Sequence, residues 1–483
     1  MKQLKVDIAV IGGGTAGLAA YRAAKAKNDS VVLIEGMQFG TTCARVGCMP
    51  SKLLIAASEA AHNAAHTSPF GVFVEGEIRI DGHKVMQRVR DERDRFVGFV
   101  IDAVEDIPAQ DKLIGNATFI SETQLQIGDH TLLEAQRVVI ATGSRASYPA
   151  VWNELGDRLI INDDLFNWTD LPESIAVFGP GVIGLELGQS LHRLGVKVWM
   201  FGMGGQVGPF TDPQVMAYAQ KTFSDEFYLD ADAKVKNMVR KGAGVEITYL
   251  DKQQVEQVIE VEYVLAATGR RPNIDNLGLE NIEIENDDRG VPIADPFTMQ
   301  TSVPSIFIAG DASNQIPLLH EAADQGKIAG NNAAVYPNIR VGLRRSSIAA
   351  VFTDPQLAMV GLSHKQVSAK YTGCNCFETG TVSFEGQGRS RVILKNKGIL
   401  NVYGEHGTGR FLGAEMIGPQ AEHLAHLLAW AHQNRMTISQ MLDMPFYHPV
   451  IEEGVRTALR DLNAKLRLGS EMLNECLECG PGC

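Results

Sequence analysis

The chain has 483 residues, of which 45% are hydrophobic and 21% charged, and a formal net charge of -13. That length exceeds what one hydrophobic core sustains and predicts about three ordinary globular domains. The acid excess argues against nucleic acid or anionic membranes as partners, and no apolar run reaches the roughly 18 residues of a membrane span.

Residues 1–5, Met1-Lys2-Gln3-Leu4-Lys5, lead into a short apolar run over 6–11. The run predicts a strand; it is too short for a signal-peptide core and lacks a cleavage site, so a cytoplasmic protein is expected. Gly12-Gly13-Gly14-Thr15-Ala16-Gly17 follows as a tight turn, then an Ala-rich helix over 18–27 and a second strand over 31–34 ending at Glu35. This is a βαβ unit. Gly12 allows the turn, Gly14 lets backbone approach a pyrophosphate, and Gly17 lets helix and strand pack closely. The helix N-terminus offers free N–H groups to phosphates, and Glu35 stands where an acid accepts from ribose hydroxyls.

Next comes Cys43-Ala44-Arg45-Val46-Gly47-Cys48, then Met49-Pro50-Ser51-Lys52. A close cysteine pair beside a redox cofactor reads as a disulfide that takes electrons from it and passes them on. Arg45 has two readings: a charge that lowers thiol pKa values or recruits an anionic substrate, or a solvated surface residue.

The βαβ unit recurs, with a strand over 174–178, the turn Gly179-Pro180-Gly181-Val182-Ile183-Gly184, a helix over 185–194 and a strand over 196–201. Two units suggest two cofactors, a flavin and a nicotinamide. The second unit's last strand ends at Gly202, followed by Met203-Gly204-Gly205. Neither an acid for a free 2′-hydroxyl nor an arginine for a 2′-phosphate stands there, which leaves NADH and NADPH both open. Two apolar strands end alike, in Thr142-Gly143-Ser144 and Thr268-Gly269-Arg270, each closing one nucleotide domain and returning to another. A strand over 306–309 ends in Gly310-Asp311, where Asp311 either bonds a ribityl hydroxyl or opens a turn.

From about Arg344 the texture changes to a separate α+β domain, with Phe352-Thr353-Asp354-Pro355 near its start and a closing helix over 451–466. Cys374-Asn375-Cys376 is too tight for an easy disulfide and reads as structural. Cys476, Cys479 and Cys483 crowd the last eight residues, in what reads as a flexible tail over 469–483.

Taken in order across residues 5–465, these motifs resemble the flavin disulfide reductases of the dihydrolipoamide dehydrogenase and glutathione reductase type. Pro50-Ser51-Lys52, the run 181–188 and Phe352-Thr353-Asp354-Pro355 look most like dihydrolipoamide dehydrogenase. The resemblance implies an α/β fold with two Rossmann-like dinucleotide-binding domains and a C-terminal α+β dimerisation domain. Residues 1–150 and 276–345 would form the FAD-binding and central parts, 151–275 the NAD(P) domain, and 346–468 the dimerisation domain. FAD would contact Gly12, Gly14, Gly17, Glu35, Thr42, Lys52, Ala117, Thr142, Gly143 and Asp311, with backbone near Leu319 and His320. NAD(H) or NADP(H) would use Gly179, Gly181, Gly184, Glu186 and Gly269. Lys52 would pair with Glu186, against the plainer reading of a solvated lysine.

By the same resemblance, electrons would pass from the nicotinamide through FAD to a Cys43–Cys48 disulfide. Cys48 would be the thiolate nearer the flavin and Cys43 the interchange thiol. His448, before Pro449, would be the base, supplied by the other subunit of a homodimer, with Glu453 rather than Glu452 fixing its tautomer. No resident metal site is assigned. The chain departs from the family at Phe39-Gly40-Thr41-Thr42, where two glycines are usual, and at Arg45, where asparagine is usual. Three alternatives remain beside a dihydrolipoamide dehydrogenase: a glutathione, thioredoxin or mercuric-type reductase with the C-terminal cysteines as a relay; a flavoprotein with a metal-binding cysteine tail; and a nonenzymatic redox-sensing subunit.

Overall fold

The computed structural model describes residues 1–468. Cys476, Cys479 and Cys483, and with them the relay and metal readings of the tail, lie outside the described residues. Strand β1 spans Lys2–Ile11, α1 Thr15–Lys25 and β2 Val31–Glu35. Two helices follow, α2 (Thr42–Val46) and α3 (Cys48–Ala65), and later β3 (Thr131–Ile140). β1 pairs in parallel with β2 and β3. The sheet runs Lys112–Ile114, β2, β1, β3, Gln124–Ile127, Ala117–Ser121, and Ile306–Ile308 joins β3 in parallel. Ile8, Val10 and Leu33 are fully buried, as expected where a parallel sheet is covered on both faces.

The second unit repeats the pattern with β4 (Ser174–Phe178), α4 (Val182–Arg193), β5 (Lys197–Phe201) and β6 (Tyr263–Ala266). Its all-parallel sheet runs Tyr228–Asp230, β5, β4, β6, Leu159–Ile160. Leu185, Leu187 and Leu191 of α4 pack against Val177, Val198 and Met200, while Val245, Ile247 and Val261 of an antiparallel sheet close on Phe178, Phe201 and Val264. Both fingerprint helices begin three residues earlier than the apolar pattern suggests, at Thr15 and Val182. The last fingerprint residues wind the first turn themselves, so the free N–H groups of that turn belong to the fingerprint.

After α5 (Leu319–Val335) comes a five-stranded antiparallel sheet that includes β7 (Phe377–Ser383) and β8 (Ile399–Glu405). Its order is Ile348–Val351, Gln356–Gly361, Phe411–Gly418, β8, β7. Helix α6 (Glu453–Leu468) packs on it through Val455, Ala458, Leu459 and Leu462. Arg193 ties this domain to the second unit: its guanidinium holds Glu226 at 2.6 Å and Asp354 at 3.0 Å, and Lys395 holds Asp354 from the other side at 2.6 Å.

One expectation is overturned. Cys374 and Cys376 form a disulfide, because the loop bends and brings their Cα atoms to 5.3 Å, within the range a disulfide spans. No helix among the described residues is long and apolar enough to cross a membrane.

Candidate active site

A cavity of about 280 Å³ lies between the first unit, the α2–α3 corner and α4. Cys43 and Cys48 line it together, Cys43 from α2 and Cys48 as the first residue of the eighteen-residue α3. Both are free thiols, and a hydrogen bond from the Cys43 thiol is the chief influence on how Cys48 ionises. That bond, with help from the Lys52 ammonium, outweighs desolvation and brings Cys48 down to about 7. The same bond, then burial, pushes the Cys43 thiol up. The α3 N-terminus adds its own field in favour of a thiolate at Cys48.

Lys52 is no solvated lysine. Its ammonium bonds both carboxylate oxygens of Glu186 at 2.8 Å and sits 4.4 Å from the centroid of the Phe352 ring. The Glu186 side chain is 5% exposed and also accepts the Phe352 N–H at 2.9 Å. Arg45 turns away instead: its guanidinium donates to the Phe39 carbonyl at 3.3 Å and its stem packs over Gly40. Of its two readings, the one in which it tunes the thiols finds no contact, and Lys52 is the cation that acts on Cys48.

The turn entering α2 carries strain. Thr41 sits at φ 56°, ψ 149°, a conformation that side-chain-bearing residues avoid, while its hydroxyl caps the Ala44 N–H at 3.4 Å. Thr42 follows and borders the cavity.

The two fingerprints are built alike. A Cβ on Gly17 would lie 1.7 Å from the Gly12 carbonyl oxygen, and one on Gly184 2.0 Å from that of Gly179. At Gly14 and Gly181, the helix N-cap residues, a Cβ would meet open space, and no side chain caps either helix. Glu35 ends β2 with one oxygen accepting the Gly13 N–H at 2.7 Å and the other the Met37 N–H at 2.9 Å. In the second unit, a Cβ at Gly202 would lie 2.6 Å from the Ala231 carbonyl oxygen and 2.8 Å from the Pro180 ring, so the chain leaves no room there for any side chain.

Asp311 both opens a short 3₁₀ turn, Gly310–Ser313, and lines the cavity, so its two readings are compatible. Its carboxylate accepts from the Ser144 hydroxyl at 2.6 Å, and that hydroxyl accepts from Arg270 Nε at 2.8 Å. Ser144 and Arg270 escaped the sequence reading. Their signal was present, since each directly follows one of the two Thr-Gly pairs, and the short strands Ser144–Ala146 and Arg270–Pro272 pair antiparallel. Asn162, which holds the Val46 carbonyl at 2.8 Å from the cavity wall, had no such signal.

Gly143 and Leu319 also line the cavity. Gly269 follows β6 at the corresponding place in the second unit. Ala117 does not line the cavity; it is buried in the strand Ala117–Ser121. Thr142 Oγ1 and His320 Nε2 are buried without a hydrogen-bond partner, which is unusual in a finished core. A dinucleotide would satisfy such atoms and fill the space above Gly14. The residues present therefore fit FAD.

His448 lies apart from the cavity within the chain, its side chain 80% exposed. Its Nδ1 faces the Glu453 carboxylate at 3.0 and 3.1 Å, and the imidazole holds Glu453 below the usual carboxylate range. Glu453 opens α6 and also accepts the Val450 N–H, while Glu452 does not join the contact.

The family model described as "Pyridine nucleotide-disulphide oxidoreductase" matches residues 6–326, and its dimerisation-domain model matches 347–459. Similar curated proteins include the dihydrolipoyl dehydrogenase of Chlamydia muridarum, 30% identical with 92% of this chain and 94% of that one covered. A dihydrolipoyl dehydrogenase of Bacillus subtilis is 27% identical, with 94% and 98% covered. Among solved structures, the HOCl-induced flavoprotein disulfide reductase RclA of Escherichia coli is 22% identical with a TM-score of 0.78, covering 95% and 99%. LpdA of Mycobacterium tuberculosis is 23% identical with the same TM-score and coverage. At these identities the two structures speak for the fold.

Proposed function

The chain belongs to the pyridine nucleotide-disulphide oxidoreductase family, and from that premise we propose that Cys43 and Cys48 are its redox pair and a dihydrolipoamide-like dithiol its substrate. It is an FAD-dependent oxidoreductase that exchanges electrons between NAD(P)H and a disulfide–dithiol couple. The observation that carries the assignment of the pair is the two free thiols lining one cavity, Cys43 from α2 and Cys48 at the head of α3, with Lys52 and Glu186 behind them.

FAD, when bound, supplies the two-electron link between nicotinamide and sulfur. Gly12, Gly14, Gly17, Glu35, Thr42, Gly143 and Asp311 would hold it, with Thr142 and His320 offering their unpaired polar atoms. Gly179, Gly181, Gly184 and Gly269 would hold the nicotinamide dinucleotide. Ser144 and Arg270 keep the Asp311 carboxylate in place.

In the dithiol-oxidising direction the substrate thiolate attacks Sγ of Cys43. The Cys43–Cys48 bond breaks, and Cys48 leaves with the electron pair as a thiolate that Lys52 and the helix N-terminus stabilise. The second substrate thiol attacks the mixed disulfide, releasing Cys43 as a thiol and the product as a disulfide. The partner subunit's His448 takes the substrate proton, and Glu453 of that subunit keeps the receiving nitrogen free by binding Nδ1. A homodimer is therefore part of the reading; the match of residues 347–459 to a dimerisation domain and the exposure of His448 support it. A cytoplasmic location belongs to the same reading.

Anaerobic titration with NADH and NADPH tests the pair. Either coenzyme is expected to raise a long-wavelength absorbance band that Cys48→Ser abolishes; no band with either would reject Cys48 as the thiolate. Turnover compared across dihydrolipoamide, glutathione disulfide and thioredoxin is expected to favour dihydrolipoamide, and a preference for either of the others would reject the substrate.

A further inference from the structure

The chain carries 57 acidic and 44 basic residues, yet one concave surface reverses that balance. A cavity of about 370 Å³ beside the five-stranded antiparallel sheet is lined by Arg344, Arg345, Lys370, Arg410 and Arg435, and no carboxylate residue belongs to its described lining. Hydrogen bonds fix its walls. The Ser346 N–H donates to the Gln433 side-chain oxygen at 2.7 Å, and the Ser346 hydroxyl meets His432 Nδ1 at 2.7 Å. These contacts join the chain entering the strand Ile348–Val351 to the end of the helix Ala421–Gln433. The Phe411 N–H donates to the Met436 carbonyl at 3.1 Å, and Arg410 pairs with Thr437 as an antiparallel bridge, so Arg410 and Arg435 come from adjacent segments of backbone.

The five cations are of two kinds. Arg344 holds Glu321 of α5 at 2.6 Å, Arg345 holds Asp324 of α5 at 2.8 Å, and Lys370 bonds the Tyr371 hydroxyl at 2.9 Å. The guanidiniums of Arg410 and Arg435, in contrast, meet no carboxylate and no hydrogen-bond acceptor among the described residues. Arg435 also sits at φ 55°, directly after the helix C-cap Asn434, where glycine is the residue that fits without strain. Like charges crowded into one concavity repel, and an arginine held in left-handed backbone is strained. A bound anion offsets both. The field reaches the wall itself: burial, and then the Arg410 guanidinium, hold the His432 imidazole below its usual range.

We propose that this cavity is a binding site for a small phosphorylated molecule, with Arg410 and Arg435 gripping its phosphate group. A planar guanidinium offers phosphate two parallel N–H donors, which a lysine ammonium cannot do. The volume falls within the roughly 300–1,000 Å³ of small-molecule pockets. The acid excess of the remaining surface repels an extended polyanion, whereas a compact phosphate enters one pocket and meets only cations there. The site shares no lining residue with the cavity that holds Cys43 and Cys48, so it stands independently of the redox assignment.

Isothermal titration calorimetry of the FAD-loaded full-length protein with inorganic pyrophosphate tests the site. One equivalent per chain is expected to bind with a Kd of about 1 mM or tighter. Arg410→Gln and Arg435→Gly should each weaken that binding by about tenfold or more. Arg435→Gly should at the same time raise the melting temperature, because glycine relaxes the left-handed backbone; a variant that is more stable and binds less has not lost affinity by misfolding. The KM for the nicotinamide should stay within about twofold in both variants, which separates the loss from the dinucleotide fingerprints. Four results would overturn the proposal: no binding of pyrophosphate, an affinity unchanged in both variants, citrate bound as tightly as pyrophosphate, or a single-stranded oligonucleotide bound more tightly through the same two arginines.

Discussion

Lys52 helps to hold the reactive thiol down, and its replacement by methionine has two separable effects. Cys48, held at about 7, should ionise at higher pH by about one unit, read from the pH profile of its alkylation in the dithiol form. Because that pKa is depressed from 9.0, the thiolate's contribution to stability is complete above 9.0 and is lost as the pH falls through about 7. The variant also leaves buried Glu186 without its cation, a cost of about 2 kcal/mol in denaturant unfolding. An unchanged alkylation profile would remove Lys52 from the thiol's control. Thr41 offers the opposite case. Thr41→Gly should stabilise the protein by about 1 kcal/mol, since the relaxed backbone outweighs the loss of a long capping bond; a destabilised variant would show that the cap dominates. The cysteine pair and Lys52 were legible because one short stretch of sequence carries all three. The Asp311–Ser144–Arg270 chain was not, because three distant segments meet to form it.

Among the elements, the strands of both βαβ units were readable from apolar runs bounded by glycine. Their helices start earlier than periodicity alone indicates, because Thr15-Ala16 and Val182-Ile183 look like turn in the sequence. The bend that closes Cys374–Cys376 left no trace in spacing either. The duplicated fingerprint makes a paired prediction. Gly17→Ala and Gly184→Ala each force a Cβ against backbone oxygen, which cannot yield as a side chain tip would, at a cost of about 1–3 kcal/mol. Gly17→Ala should lower flavin content in the purified protein. Gly184→Ala should keep the flavin but raise the KM for the nicotinamide about tenfold or more, and the reverse pattern would exchange the two assignments.

For the whole molecule, the separation of His448 from Cys43 within one chain has a direct consequence. Homodimers of Cys43→Ser and of His448→Ala should each lose at least about a thousandfold in turnover. Unfolding and refolding the two together should restore activity, because a hybrid holds one site with an intact cysteine from one chain and an intact histidine from the other. No recovery would mean that both groups act within one subunit. Domain order was legible along the chain, but the Arg193–Asp354–Lys395 contact that fixes one domain against another was not, since Asp354 alone lies in a motif and neither Arg193 nor Lys395 does. The crowding around Gly202 bears on how such an enzyme changes its fuel. Coenzyme preference is often thought of as a choice of one residue at the tip of that strand. Here the backbone turn at Ala231 occupies the space such a residue needs. Retuning this protein toward one coenzyme, in the laboratory or by descent, therefore begins with moving that turn, and single replacements at Gly202 lead nowhere.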